Sequence, residues 1–156
     1  NPVRKSQAEA FRKALIEAGN RIDYNQAAAN GLSSTVSVPD SCQITHIEHI
    51  EVVLTASNAD GSDEHPSAGD LHITLQSPLG SVSTLSVPHP CQLPTDGGPM
   101  QIGPCQGLQN YPFGIRRHLE EPVAQGSNRN WTLSTTDRVA GETGRLKDWS
   151  ITFYGR

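Results

Sequence analysis

Two stretches decide the fold: His65-Pro-Ser-Ala-Gly-Asp-Leu-His-Ile-Thr-Leu-Gln-Ser-Pro-Leu-Gly80 and Gly144-Arg-Leu-Lys-Asp-Trp-Ser-Ile-Thr-Phe-Tyr-Gly155. In the first, Leu71, Ile73 and Leu75 alternate strictly with His72, Thr74 and Gln76, the period of a half-buried strand. Ser77-Pro-Leu-Gly80 reads as a turn, and Val82 to Val87 runs back as the hairpin partner. In the second, Trp149, Ile151 and Phe153 alternate with Ser150, Thr152 and Tyr154. The same period recurs in Ser34, Val36 and Val38, in Ile50, Val52 and Leu54, and in Trp131 and Leu133. Strands at this spacing, separated by Gly, Pro, Asn and Asp turns, predict an antiparallel sandwich or jelly roll.

One segment breaks the pattern. Ser6-Gln-Ala-Glu9 is a capping box, and Ala8, Phe11, Ala14, Leu15 and Ala18 then recur at helical spacing before Gly19-Asn20. The spacing predicts a short amphipathic helix over 6–18, followed by a linker over 20–31. The expected organisation is an N-terminal helix and linker over 1–31 and an all-β domain over 32–156.

The chain has 156 residues, the size of one domain. Its 14 glycines and 11 prolines fit many turns and short strands better than a helical bundle. A net charge of −4 argues against nucleic acid as a main partner. No apolar run approaches the roughly 20 residues of a membrane helix. The opening Asn1-Pro2 reads as an internal piece of a longer precursor. Cysteines stand at 42, 91 and 105, with no Cys-x-x-Cys pair to suggest zinc. A Cys91–Cys105 disulfide would close a Pro/Gly-rich loop and contribute about 3 kcal/mol. Cys42 with either partner is the alternative, and the odd cysteine would be free and buried.

Catalytic signals are absent from the sequence. There is no Gly-x-Ser-x-Gly elbow, and no Ser/His/Asp triad is expected. His46-Ile-Glu-His49 places its histidines three apart, on opposite faces of a strand, so surface histidines are the better reading than a zinc site. Calcium is the cofactor the sequence allows. Asn58-Ala-Asp-Gly-Ser-Asp-Glu64 concentrates oxygen ligands, but Asp63 and Gly69 stand where an EF-hand requires glycine and glutamate. A looser site would use Asp60, Asp63 and Glu64 with Asp70; a second would use Asp137 and Glu142. Each has a plain alternative as a solvated or turn-capping carboxylate. Trp131 and Trp149, with apolar neighbours at i+2, read as core, which leaves sugar binding without its usual aromatic platform.

Four blocks, in order, carry a family resemblance: His65 through Leu71 as His-x-x-x-Gly-Asp-Leu, the Ser77 to Gly80 turn, Trp131 to Asp137, and Gly144 to Gly155. Over 32–156 the chain resembles the P domain (Homo B domain) of kexin- and furin-like proprotein convertases, bacterial type. The resemblance implies a jelly-roll β-sandwich without catalytic residues, lying C-terminal to a protease catalytic domain of the same precursor. The expected parent is a secreted or periplasmic subtilisin/kexin-like serine endopeptidase, whose catalytic domain this module stabilises and regulates. The resemblance makes Asp70 and Asp137 loop organisers. The alternative is a substrate- or carbohydrate-binding module on a secreted protease, a metalloprotease included; an exposed aromatic or broad apolar patch would favour it.

Overall fold

The computed structural model describes residues 6–14, 21–22, 32–58, 71–87, 91–93, 97–99, 101–103, 111–137 and 144–156. In chain order the strands are β1 (Gln7–Ala14), β2 (Arg21–Ile22), β3 (Leu32–Ser37), β4 (Ile47–Asn58), β5 (Leu71–Gln76), β6 (Val82–Ser86), β7 (Cys91–Leu93), β8 (Gln101–Gly103), β9 (Tyr111–Ile115), β10 (Asn130–Asp137) and β11 (Gly144–Gly155). All pairings are antiparallel. The larger sheet runs β1-β11-β4-β9, with β2 added beside β11; the second runs β3-β10-β5-β6; β7 and β8 form a hairpin. No described residue is helical.

The two sheets meet face to face through the side chains that alternation points inward. Ile50, Val52 and Leu54 of β4 and Trp149, Ile151 and Phe153 of β11 are fully buried from one side. Leu71, Ile73, Leu75, Trp131 and Leu133 are fully buried from the other. The Trp131 and Phe153 rings lie 4.9 Å apart across the gap, and Trp149 Nε1 donates to Ser34 Oγ at 2.8 Å. Both tryptophans are therefore core residues, and each indole N–H has an acceptor, as burial requires. In β11 the inward set skips a step: Leu146 and Trp149 both point in, because a bulge at Lys147 inserts one residue between the Leu146/Ala56 and Asp148/Thr55 pairs.

The helix expected over 6–18 is corrected. Its first part is strand β1, paired with β11 from Gln7/Gly155 to Ala14/Asp148. Glu9 and Phe11 are half-buried while Ala8, Ala10 and Arg12 are exposed, a period of two. Phe11 stacks at 6.1 Å on Phe153. Ser6 does not cap a helix; its hydroxyl donates to Glu48 at 2.8 Å. Intrinsic helix preference is worth only tenths of a kcal/mol per residue, whereas the edge of β11 offers a ladder of backbone partners and a core for Phe11. The larger sheet thus takes in residues on both sides of residue 32.

Cys42 is free and fully buried, so its disulfide with Cys91 or Cys105 is not formed. Cys91 opens β7, and the Cys91–Cys105 pairing lies outside the described residues.

Candidate functional site

The connection from β9 to β10 carries a buried polar network. After Ile115 the chain makes a turn over Arg117–Glu120, and Glu120 takes a left-handed φ of 67°. The turn is pinned to the entry of β4: Glu120 N–H donates to Ile47 O at 2.7 Å, Ile47 N–H to Glu121 O at 2.9 Å, and Val123 N–H to Ile44 O at 3.1 Å. Trp131 Nε1 donates to Val123 O at 3.0 Å, fixing the far end of the segment on the core.

This geometry drives His118 fully into the interior, edge-on to the Trp131 ring at 5.2 Å. Its Nδ1 lies 2.9 Å from Glu121 Oε2 and its Nε2 lies 2.6 Å from Ser83 Oγ on β6. The other carboxylate oxygen of Glu121 accepts from Ser81 Oγ at 2.5 Å. A carboxylate only accepts, so the neutral imidazole carries its proton on Nδ1 and the Ser83 hydroxyl donates to Nε2. Burial pushes the His118 pKa below its ordinary value of 6.5, against the opposing pull of Glu121, while Arg117 adds to the lowering.

The order hydroxyl, imidazole, carboxylate is that of an acyl-transfer relay. The setting is different. His118 is fully buried against Trp131, Ser83 is 6% exposed, and Ser81 shares the carboxylate. The network ties β6, in one sheet, to the turn that leaves β9, in the other. Its role in this fold is to fix the two sheets together at that side. Nothing in the sequence announces it, since Ser83 and His118 are 35 residues apart and only the folded chain joins them.

Above this network lies an open groove of about 350 Å³ between β6 and β9. Val82, Ser83 and Leu85 form one wall, Phe113 and Ile115 the other, with Arg116 and Arg117 at one end.

Trp131 and Trp149 are core, as read. The calcium candidates Asp60, Asp63, Glu64, Asp70 and Glu142 lie outside the described residues, and Asp137 ends β10 opposite Leu71. Among the described residues no three His, Cys, Asp or Glu side chains gather as a metal site would require. His46 is exposed and His49, half-buried, stacks on Tyr154 at 5.7 Å. At the opposite end, Arg129 donates to the carbonyls of Val38, Pro39 and Cys42. Beside it the Cys42 thiol is pushed up to about 11 by burial and by its hydrogen bond with Glu9.

Two antiparallel sheets sealed by a shared tryptophan core define a β-sandwich. Residues 47–153 match the proprotein convertase P-domain, and the chain belongs to that family. The P domain is an accessory domain of subtilisin/kexin-like proteases. Human proprotein convertase subtilisin/kexin type 6 is 29% identical over 129 residues, covering 80% of this chain and 11% of that protein. The rat protein of the same name is 29% identical over 118 residues, covering 72% and 10%. The chain therefore spans about a tenth of the length of these curated relatives. Among solved structures, the serine protease of Aeromonas sobria is similar over 100% of this chain and 28% of its own, with a TM-score of 0.71 at 16% identity. That protease in complex with its chaperone ORF2 gives a TM-score of 0.69 at 16% identity. At such identity the likeness shows the fold alone.

Proposed function

We propose that this chain is a jelly-roll P domain that stabilises and regulates the catalytic domain of a subtilisin/kexin-like serine endopeptidase in the same secreted precursor. The observation that carries this reading is the P-domain match over 47–153 on a fold shared, along the whole chain, with part of a bacterial serine protease. The described polar network joins sheets, which fits a module that acts by contact. The physics is mass action. A module that packs only on the folded catalytic domain shifts the folding equilibrium toward that state, and a covalent tether holds it at high effective concentration. Among the described residues no helix is long and apolar enough to cross a membrane.

Calcium is part of the proposal. Asp60, Asp63, Glu64 and Asp70, with Asp137 and Glu142 as a second set, are hard oxygen donors that suit it. Bound calcium would tie loops together and raise stability through the same linkage.

The test is to produce the precursor with and without residues 1–156 and to follow peptide hydrolysis and thermal unfolding of the catalytic domain. Loss of stability on removal of the domain is expected. Unchanged stability and unchanged hydrolysis would overturn the reading. Thermal unfolding of the 156-residue chain with calcium and with chelator addresses the metal separately; equal melting points would remove calcium from the proposal.

A further inference from the structure

One side of the sandwich is closed by β1, the edge strand of the larger sheet, which passes beside β3, the edge strand of the other. β1 is held unlike its neighbours. β3, β4, β5, β6, β9, β10 and β11 each carry at least one buried side chain. Among its described side chains β1 carries none: Glu9 and Phe11 are half-buried, and Gln7, Ala8, Ala10, Arg12 and Lys13 are exposed. Its backbone pairs with β11 alone. Two side-chain ties reinforce that pairing, and both are exposed. Ser6 donates to Glu48 at 2.8 Å, and Arg12 meets Asp148 at 2.6 Å with its own side chain 68% exposed. Exposed pairs of this kind add little to stability. β11 has an independent hold on the sheet, because β4 pairs with its other edge from Gly144 to Gly155. Beside β1 lies Cys42, free and fully buried, its thiol hydrogen-bonded to Glu9.

We propose that β1 is a releasable strap: it leaves and rejoins β11 while the rest of the sandwich stays folded, and each release uncovers the Cys42 thiol. Parts of a fold open separately when they bury few apolar side chains, and Phe11 is the one large apolar side chain that β1 brings to the core. Release takes the Glu9 carboxylate from the thiol and the Phe11 ring from Phe153, 6.1 Å away, and leaves one edge of β11 unpaired. The other side of Cys42 keeps its support. Arg129 still holds the carbonyls of Val38, Pro39 and Cys42, so the segment that carries the thiol stays in place. Where a catalytic domain precedes this module, β1 is the described strand nearest to it in the chain and the first to feel its movement. That consequence rests on the function proposed above; the strap itself does not.

The experiment alkylates Cys42 in the 156-residue chain with excess N-ethylmaleimide, at urea concentrations below the unfolding transition. Mass spectrometry of the Cys42 peptide separates it from Cys91 and Cys105. Release of one strand exposes little surface. Labelling at low urea should therefore be slow, nearly independent of urea, and faster than global unfolding allows. Phe11→Ala should speed it roughly tenfold, because the ring stabilises only the closed strap. Phe11→Leu takes its place if the alanine variant does not fold. Ile73→Val, buried on β5 in the second sheet, should lower the urea midpoint yet change low-urea labelling by less than about twofold. Labelling that follows the global unfolding slope at every urea concentration would overturn the proposal. So would a low-urea rate that the Phe11 variant leaves unchanged, which would assign the opening to the 38–45 loop instead. The catalytic domain takes no part in this test, so its outcome is independent of the proposed function.

Discussion

Replacing Ser83 with alanine tests the buried network at its most exacting point. His118 is fully buried, and the Ser83 hydroxyl at 2.6 Å is the donor to its Nε2. Ser83→Ala removes one oxygen atom and leaves an imidazole nitrogen in the interior with no partner. An orphaned buried acceptor costs about 1–3 kcal/mol, well above the net worth of an ordinary exposed hydrogen bond. For a domain of this size each kcal/mol lowers the melting point by roughly 2–4 °C, so a drop of about 2–12 °C is expected. The assay is urea and thermal unfolding of the 156-residue chain at pH 7.5. A second variant sharpens it. Combining Ser83→Ala with His118→Leu removes donor and acceptor together, so the double variant should fall short of the sum of the singles by about 0.5–3 kcal/mol. A Ser83→Ala loss below about 0.5 kcal/mol, or additivity within about 0.3 kcal/mol, would refute the claim that this hydrogen bond matters to the fold.

The same network predicts acid sensitivity. The folded pKa of His118 lies below its unfolded value near 6.5, so the unfolded chain takes up the proton first as the pH falls. Stability from this group is complete above about pH 6.5 and is lost below it, down to the lower folded pKa. Urea midpoints between pH 7.5 and 5 should show this fall, and His118→Gln should flatten it. Cys42, raised to about 11 and fully buried, should resist alkylation in the native chain and react on unfolding; rapid labelling of the folded chain would contradict the burial. Phe11→Ala should cost about 1–2 kcal/mol by urea unfolding, since a half-buried ring on Phe153 is lost; no loss would argue that β1 does not belong to the sheet. A Cβ at Gly155 would collide with the His46 carbonyl oxygen and lie 2.9 Å from Ile44 Cγ2. Gly155→Ala should therefore lower the melting point by several degrees, as overpacking costs about 1–3 kcal/mol.

The strands most readable in the sequence are those whose two faces differ most. Leu71-His-Ile-Thr-Leu-Gln76 has one core face and one polar face, and alternation alone locates it. Trp131 and Trp149 were legible as core for the same reason. β1 was not, because alanine is small enough to sit exposed on a strand and its spacing mimicked a helical stripe. β9 went unread because Pro112 and Gly114 interrupt any strand signal; both are tolerated because the strand lies at the edge of its sheet. The polar site was illegible for a different reason. Ser83, His118 and Glu121 are ordinary residues locally, and their meaning comes from a turn that buries one of them. The six acidic residues, by contrast, drew attention through local density, a signal that solvated loops share with metal sites.

The order of assembly of the larger sheet has a consequence for how the domain is made. β11, the last of the described strands, lies between the first of them, β1, and β4. Arg12 and Asp148, 136 residues apart, meet across that first-to-last seam. While the chain is being synthesised, β1 and β4 each present an open edge until Gly144–Gly155 closes it. Contacts of such long range form slowly, and unpaired edges are where chains stick to one another. The interval before Gly144–Gly155 emerges is thus a period of exposure for the whole sheet, and a chain cut before Gly144 would lose Leu146, Trp149, Ile151 and Phe153 from the core together with the strand that joins β1 to β4.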